Sequence, residues 1–410
     1  MLDRKIMLAA GLALAIGACS ANGNSRPILP SVPGLSGGSS AFSDGSYALP
    51  RTTATSVLKL LTKQVVIGST VDPLNGDVNP YGFAVDAYMS FPGSKLKEGN
   101  LYVCNFNAKS NVQGTGTTIV TLAPKAGSKP ARYVQSSKLL GCAAIAIDAS
   151  NDVWAASFGA KSLTDIGYNG KVKATYKGGP FVRPFGVVNA CIGCAGSLYP
   201  TSAIFDSDAS TGAIVKVEYC PPAGCTTPKT AVISGFAVNH GQPGSILGPS
   251  GLVFDPYSCP KIGGVPSCGT LYVVDGVNNT VVAINNALNL TKPNSIVIGK
   301  DGKTFSGPEA SWAKLVYAGK PLNGPISAAL VYNKLNAAGN VVVGNTLDPS
   351  GTNLLIELSG GGGPGKVLDT VNVDKGAAGA LFGMQATGIG ASTIFYFNDD
   401  NANNVQALQK

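Results

Sequence analysis

Four oxygen-bearing side chains recur at matched places in this chain. Asp86 closes "NPYGFAVD", Asp148 closes "GCAAIAID", Asp255 closes "GPSGLVFD", and Asn189 falls near the end of "RPFGVVNA". Carboxylate and amide oxygens suit hard cations such as calcium or magnesium. They suit a turn equally well, accepting backbone N–H groups as the chain leaves a strand. A second set, Asn105, Asp206, Asp275, Asn345 and Asn398, follows a later apolar run in each stretch, and there turn capping is expected. The single histidine, His240, lies in "GFAVNHGQPGSILGPSG". One imidazole can act as a general base, but no second histidine exists to partner it. His240 therefore stands as a candidate ligand contact or a plain loop residue. Trp312 and Tyr317 lie in a long polar stretch, "KDGKTFSGPEASWAKLVYAGKPLNGP", which reads as a loop able to contact a sugar or peptide. Trp154 sits within a strand pattern and reads as packing. "GGGGPG" at 360–365 lies between strands and opens no helix, as a phosphate-cradling loop would, and reads as a flexible turn.

The sequence holds nine cysteines. Setting Cys19 aside leaves an even number, which in an exported chain argues for disulfides. Spacing suggests local bridges Cys191–Cys194, Cys220–Cys225 and Cys259–Cys268, leaving Cys104 and Cys142 to pair across neighbouring segments. Eight cysteines allow about 105 pairings, so spacing alone leaves connectivity open. "CIGC" at 191–194 lacks the βαβ context of a redox motif, and Ala195 stands where haem attachment needs His. With one histidine and no second CxxC, zinc is poorly supported.

The export expectation comes from the N-terminus. Arg4 and Lys5 precede the apolar run "IMLAAGLALAIGA", too short for a mature membrane span. It ends in "IGAC", which resembles the lipobox of bacterial lipoproteins. That resemblance implies cleavage after residue 18, lipidation of Cys19 and tethering to a membrane rather than spanning. Ser20 in place of Asp favours the outer membrane, facing the periplasm or exterior. Residues 19–55 are rich in Ser, Gly, Pro and Asn and read as a flexible tether. The net charge of +8 is spread without basic runs, so nucleic acid is not expected as a partner. Attraction to an anionic envelope surface fits that charge.

Residues 56–410 must position these side chains. Only 13% of residues are charged, glycine is abundant and no long helical pattern occurs. A unit recurs six times: Pro-x-Gly, an apolar strand, a loop, a second strand ending in Asp or Asn, a polar turn and a third strand. "GPSGLVFD" followed by "TLYVVDGVNNTVVAIN" is the clearest copy, and the second copy lacks the Pro. β-rich stretches after the third strand, "TAVISGFAV", "NSIVIG" and "KVLDTVNV", supply a fourth. Four short strands per repeat is the content of a propeller blade. The sixth copy ends without a fourth strand, and "SVLKLLTKQVVIG" at 56–68 precedes the first copy with no unit of its own. Placed in the last blade, that segment closes the ring and removes an exposed edge.

The Pro-x-Gly, "LYVV" and Asn-rich turn pattern resembles NHL-type β-propellers and, more loosely, gluconolactonase-like and streptogramin-lyase-like propellers. The resemblance covers 56–410 and implies an all-β, six-bladed ring around a central channel. In the gluconolactonase-like group, acidic and amide residues lining the channel hold a divalent metal, which would cast Asp86, Asp148, Asn189 and Asp255 as ligands. The streptogramin-lyase-like group uses catalytic histidines, which makes the His240 loop, at the ligand end of the channel, the place to look. Two functions follow as expectations. One is a monomeric envelope module binding a protein, peptide or glycan without chemistry. The other is a metal-dependent hydrolase or lyase.

Overall fold

The computed structural model describes residues 55–88, 90–194, 201–218 and 228–410. The lipidation candidate Cys19, the signal peptide, the tether up to residue 54 and the Cys220–Cys225 pair lie outside the described residues. Among those described, six antiparallel meanders of four strands stand around a common axis, as expected of a six-bladed propeller. The innermost strands are Val78–Val85, Cys142–Ile147, Pro184–Ile192, Pro249–Asp255, Pro325–Val331 and Met384–Thr387. Valine, isoleucine and aromatic residues dominate the second and third strands, which are buried on both faces between neighbouring blades.

Ring closure is as the sequence implied. Lys63–Ser69 pairs antiparallel with Asn404–Gln409 and forms the outer strand of the sixth blade. The segment before it is fixed by a buried carboxylate of blade five. Glu357 accepts the Ser56 hydroxyl (2.6 Å), the Val57 N–H and the Leu58 N–H (2.9 Å each), and the Asn340 amide (2.6 Å).

The recurring Pro-x-Gly has a structural meaning. At five inner strands the ladder slips by a bulge at this position, as between Pro80 and Gly82 or Pro184 and Gly186, and three of the five carry both Pro and Gly there. The bulge turns the middle residue toward the channel. It also brings the small residue after it against the next blade's inner strand. A Cβ on Gly186 would sit 2.0 Å from the Ser250 carbonyl, and one on Gly383 would sit 2.2 Å from the Tyr81 carbonyl. Only glycine permits those approaches.

One blade departs from expectation. "NSIVIG" is not the fourth strand of blade four. Ile296–Ile298 pairs parallel with Lys229–Ser234 and, with Phe305–Ser306, extends blade three to six strands. The outer strand of blade four is Ala313–Ala318. The crossing is anchored by Lys216, whose buried ammonium donates to the Leu288 (2.6 Å) and Leu290 (3.1 Å) carbonyls and to Glu218 (2.6 Å). It covers an edge that would otherwise be open.

Three disulfides join the pairs that spacing suggested: Cys104–Cys142, Cys191–Cys194 and Cys259–Cys268. The first links the second strand of blade one to the inner strand of blade two, within the core between those blades.

Candidate functional site

The inner strands all run in the same direction, so the channel has two chemically distinct ends. At the end where chain enters each inner strand, the middle residues of the Pro-x-Gly motifs converge. Tyr81 stacks between Phe106 (centroids 4.1 Å apart) and Phe382 (3.7 Å), with Phe185 edge-on at 6.4 Å. Ala143 and Ile326 complete the cluster, with Phe158 beneath the Arg183 guanidinium at 4.6 Å. Edge-on pairs such as Tyr81 and Phe185 attract beyond their simple burial. Below them a cavity of about 70 Å³ runs between the inner strands, walled by apolar side chains with the Ser250 and Ser327 hydroxyls. That is room for a few waters. Both hydroxyls donate to backbone carbonyls.

The loop holding His240 does lie at this end, but as a cover. Asn239 accepts the Gly241 and Leu247 N–H groups and donates to the Ser245 carbonyl, which folds the loop back on itself. Ile246 and Leu247 then pack on the aromatic cluster, while Gly244 meets Gln113 of blade one. His240 itself has a left-handed backbone (φ 52°) and is exposed.

At the opposite end the structure brings three of the four oxygen-bearing candidates near one tyrosine. Tyr88 is hydrogen-bonded to Asn189 and feels the charges of Asp148 and Asp86; burial first, then those charges, push its hydroxyl up to about 12. Asp86 is buried and accepts the Tyr88 N–H at 3.0 Å, and its Oδ2 has no hydrogen-bond partner. Burial pushes its carboxyl up to about 6, against the pull of the Tyr88 N–H. Asp148 is raised by burial, and it is committed to structure: it accepts the Ser150 N–H (2.8 Å), the Asp152 N–H (3.0 Å) and the Trp154 indole N–H (2.9 Å). Asp255 stands apart from the other three. It accepts the Tyr257 N–H (3.0 Å), the Gly339 N–H of blade five (2.9 Å) and the Tyr332 hydroxyl (3.4 Å), and burial pushes it up to about 6. Among the described residues no three His, Cys, Asp or Glu side chains are arranged to hold a metal ion.

Trp312 and Tyr317 lie away from the channel mouth that their stretch was expected to cover. Tyr317 is in the outer strand of blade four and donates to the Lys320 carbonyl at 2.6 Å; Trp312 packs on the core between blades three and four. The stretch is an outer strand with its approach, because its apolar residues are needed to finish blade four. Asp206 also differs from its expected role. The turn cap of blade three is Asp208, two residues later, which accepts the Val182, Arg183, Ser210 and Thr211 N–H groups. Asp206 is fully buried with neither oxygen bonded, and burial raises it well above the ordinary carboxylate range. Asn105, Asp275, Asn345 and Asn398 do bond locally or to the neighbouring blade. Sequence reasoning missed the aromatic cluster, although the middle residues of the repeated Pro-x-Gly were its signal.

No family model matches this chain, and no curated protein does. Among solved structures, the chain is similar in shape to virginiamycin B lyase from Staphylococcus aureus, with 12% identity and a TM-score of 0.44, over 85% of this chain and 98% of that one. It is similar to a putative gluconolactonase (10%, 0.45, over 85% and 91%). It is also similar to the PQQ domain of pyranose dehydrogenase from Coprinopsis cinerea (13%, 0.46, over 85% and 97%). No residue role is carried across at this level.

Proposed function

We propose that this chain is an envelope-anchored lipoprotein whose NHL-like propeller binds a protein, peptide or glycan partner through its loops, without catalysis. The observation that carries this reading is the filled channel end. Stacked aromatic rings and a folded-back loop occupy the place where a propeller enzyme of this type would admit substrate, and the cavity beneath is small. A surface built this way is rigid and offers its loop crests instead.

One observation favours the second reading, a metal-dependent hydrolase or lyase. Asp86 keeps a buried, unpartnered carboxyl oxygen beside Tyr88, with its proton affinity in a range useful for acid–base work.

The test separates the two. Full-length protein from membranes is offered lactones and esters with calcium or magnesium present. In parallel, a photo-crosslinking residue at Gln242 or Leu347 is activated in intact cells. A discrete crosslinked partner without turnover supports the binding module. Turnover that is abolished by Asp86→Asn and by chelation replaces it with the enzyme.

A further inference from the structure

The charged side chains of this protein are sorted by burial. Among the described residues every lysine except Lys216 and Lys229 is exposed, whereas of the acidic residues only Glu98 and Asp301 are. Many carboxylates are turned inward as caps for backbone N–H groups, as Asp72, Asp208 and Asp275 are. Solvent therefore meets a surface far more cationic than the net charge conveys, and its natural counterpart is anionic.

One place on that surface adds apolar anchorage. Phe91, in the connection after the inner strand of blade one, is 48% exposed. Tyr168, in a turn of blade two, is 37% exposed, and the two rings are 5.9 Å apart. Single exposed apolar residues need no explanation, but two aromatic rings held in contact at the surface do. Their support is rigid. The Lys95 N–H and Ser94 hydroxyl both donate to the Tyr168 carbonyl, at 2.9 and 3.4 Å, and Leu96 is wholly buried behind them. Exposed Lys95, Lys97 and Lys171 flank the pair, with Glu98 the one exposed acid beside it.

Strand direction places this pair at the end of the channel opposite the aromatic cluster. The connections after the inner strands of blades four and five emerge at the same end. They carry exposed Val265 in the Lys261–Pro266 hairpin and exposed Leu335 beside Lys334. The chain also joins the propeller here, because the Thr55 carbonyl accepts the Asn333 amide at 2.6 Å and the Asn340 amide at 3.0 Å. The other end exposes Leu74, Val112, Leu140, Val182 and Leu347, none of them aromatic.

We propose that this end of the propeller docks on an anionic phospholipid surface, with Phe91 and Tyr168 seated at the headgroup boundary and the flanking lysines on lipid phosphates. Aromatic rings favour that boundary, and basic side chains close to an anionic bilayer add to binding in a salt-dependent way. The orientation holds whichever partner the opposite end takes.

The test uses the chain from Ser20 onward, so that no lipid on Cys19 contributes; it keeps every contact described above. It is sedimented with vesicles of phosphatidylglycerol and phosphatidylethanolamine, or of phosphatidylcholine alone. Binding is expected only to the anionic vesicles and is expected to fall as salt is raised. The double variant Phe91→Ser/Tyr168→Ser should weaken it at least fivefold. Each of Lys95→Gln, Lys97→Gln and Lys171→Gln should weaken it up to about fivefold. Leu74→Ser and Leu347→Ser should leave it unchanged. Thermal unfolding of each variant checks that the fold is kept. Equal binding to both vesicle types, binding to neither, or loss with the Leu74 and Leu347 variants overturns the proposal.

Discussion

The Ser56 hydroxyl donates to the Glu357 carboxylate at 2.6 Å across 301 positions of sequence. The same carboxylate receives two backbone N–H groups of the turn that begins the ring-closing segment. A buried carboxylate holding several donors fixes them jointly, and its removal leaves all of them unsatisfied. Glu357→Ala is therefore expected to destabilise the protein by about 3 kcal/mol. Hydrogen exchange should rise first in Lys63–Ser69. Unchanged exchange in that strand would show that the ladder to Asn404–Gln409 suffices by itself.

The disulfides should differ in worth. Cys104–Cys142 spans 38 positions and joins two blades, whereas Cys191–Cys194 spans 3. On chain-entropy grounds, replacing the first pair by serines should lower stability by about 4 kcal/mol and replacing the second by about 2 kcal/mol or less. Denaturant midpoints of the two double variants decide it, and equal losses would contradict the loop-length argument.

Stability should fall as pH rises through the neutral range. Burial pushes Asp86 and Asp255 up to about 6, and Asp165 and Asp400 up to about 7, while Asp206 lies well above the ordinary range. An unfolded carboxylate titrates near 3.9, so between about pH 4 and 7 the folded chain holds protons that the unfolded chain has released. The contribution of these groups is complete below about pH 4 and is lost as pH climbs past their folded values. Asp72 works the other way. Burial would raise it, but the Arg132 guanidinium and the Asn75 and Leu74 N–H groups outweigh that, so its contribution is lost in acid. Maximum stability is expected near pH 5. Asp206→Asn should flatten the decline toward pH 8 in urea titrations, and a parent protein more stable at pH 7.5 than at 5 would refute the assignment.

The inner-strand glycines that meet the next blade's carbonyls should tolerate no side chain. Gly186→Ala and Gly383→Ala each force a methyl onto a carbonyl oxygen and should destabilise by about 3 kcal/mol or more. Gly363→Ala, where a methyl meets nothing within 4 Å, is the matched control. Thermal melts of the three variants make the comparison.

Much of this architecture was legible because repetition amplifies weak signals. A single Pro-x-Gly is noise, but six apolar strands at matched spacing, with a spare strand at one terminus and a missing one at the other, define a closed ring. Near-neighbour disulfides were legible for the same local reason. What stayed hidden depends on contacts distant in sequence. "NSIVIG" has the look of a strand and is one, but its partner is Ile233 and Ser234 of the blade before. Glu357 is one glutamate in a strand until Ser56 is seen beside it. Asp206 and Asp208 are two residues apart and indistinguishable by pattern, and only the chain around Val182 shows which one caps. The four matched oxygens were read as either ligands or caps; Asp86, Asp148 and Asp255 all accept backbone N–H groups as caps do, and Asp86 in addition keeps an unpartnered oxygen.

The sheet that closes the ring also sets a clock. Lys63–Ser69 leaves the ribosome early, and its partner Asn404–Gln409 leaves hundreds of residues later, tens of seconds at ordinary synthesis rates. Throughout that interval the first-made strand has a bare hydrogen-bonding edge and nothing of its own to pair with. Blades one to five can form in order of appearance, but the sixth cannot begin its outer half until Asn404–Gln409 has been made. Such a delay keeps the ring open while most of the chain is made, and it leaves the early strand as the segment most in need of a chaperone.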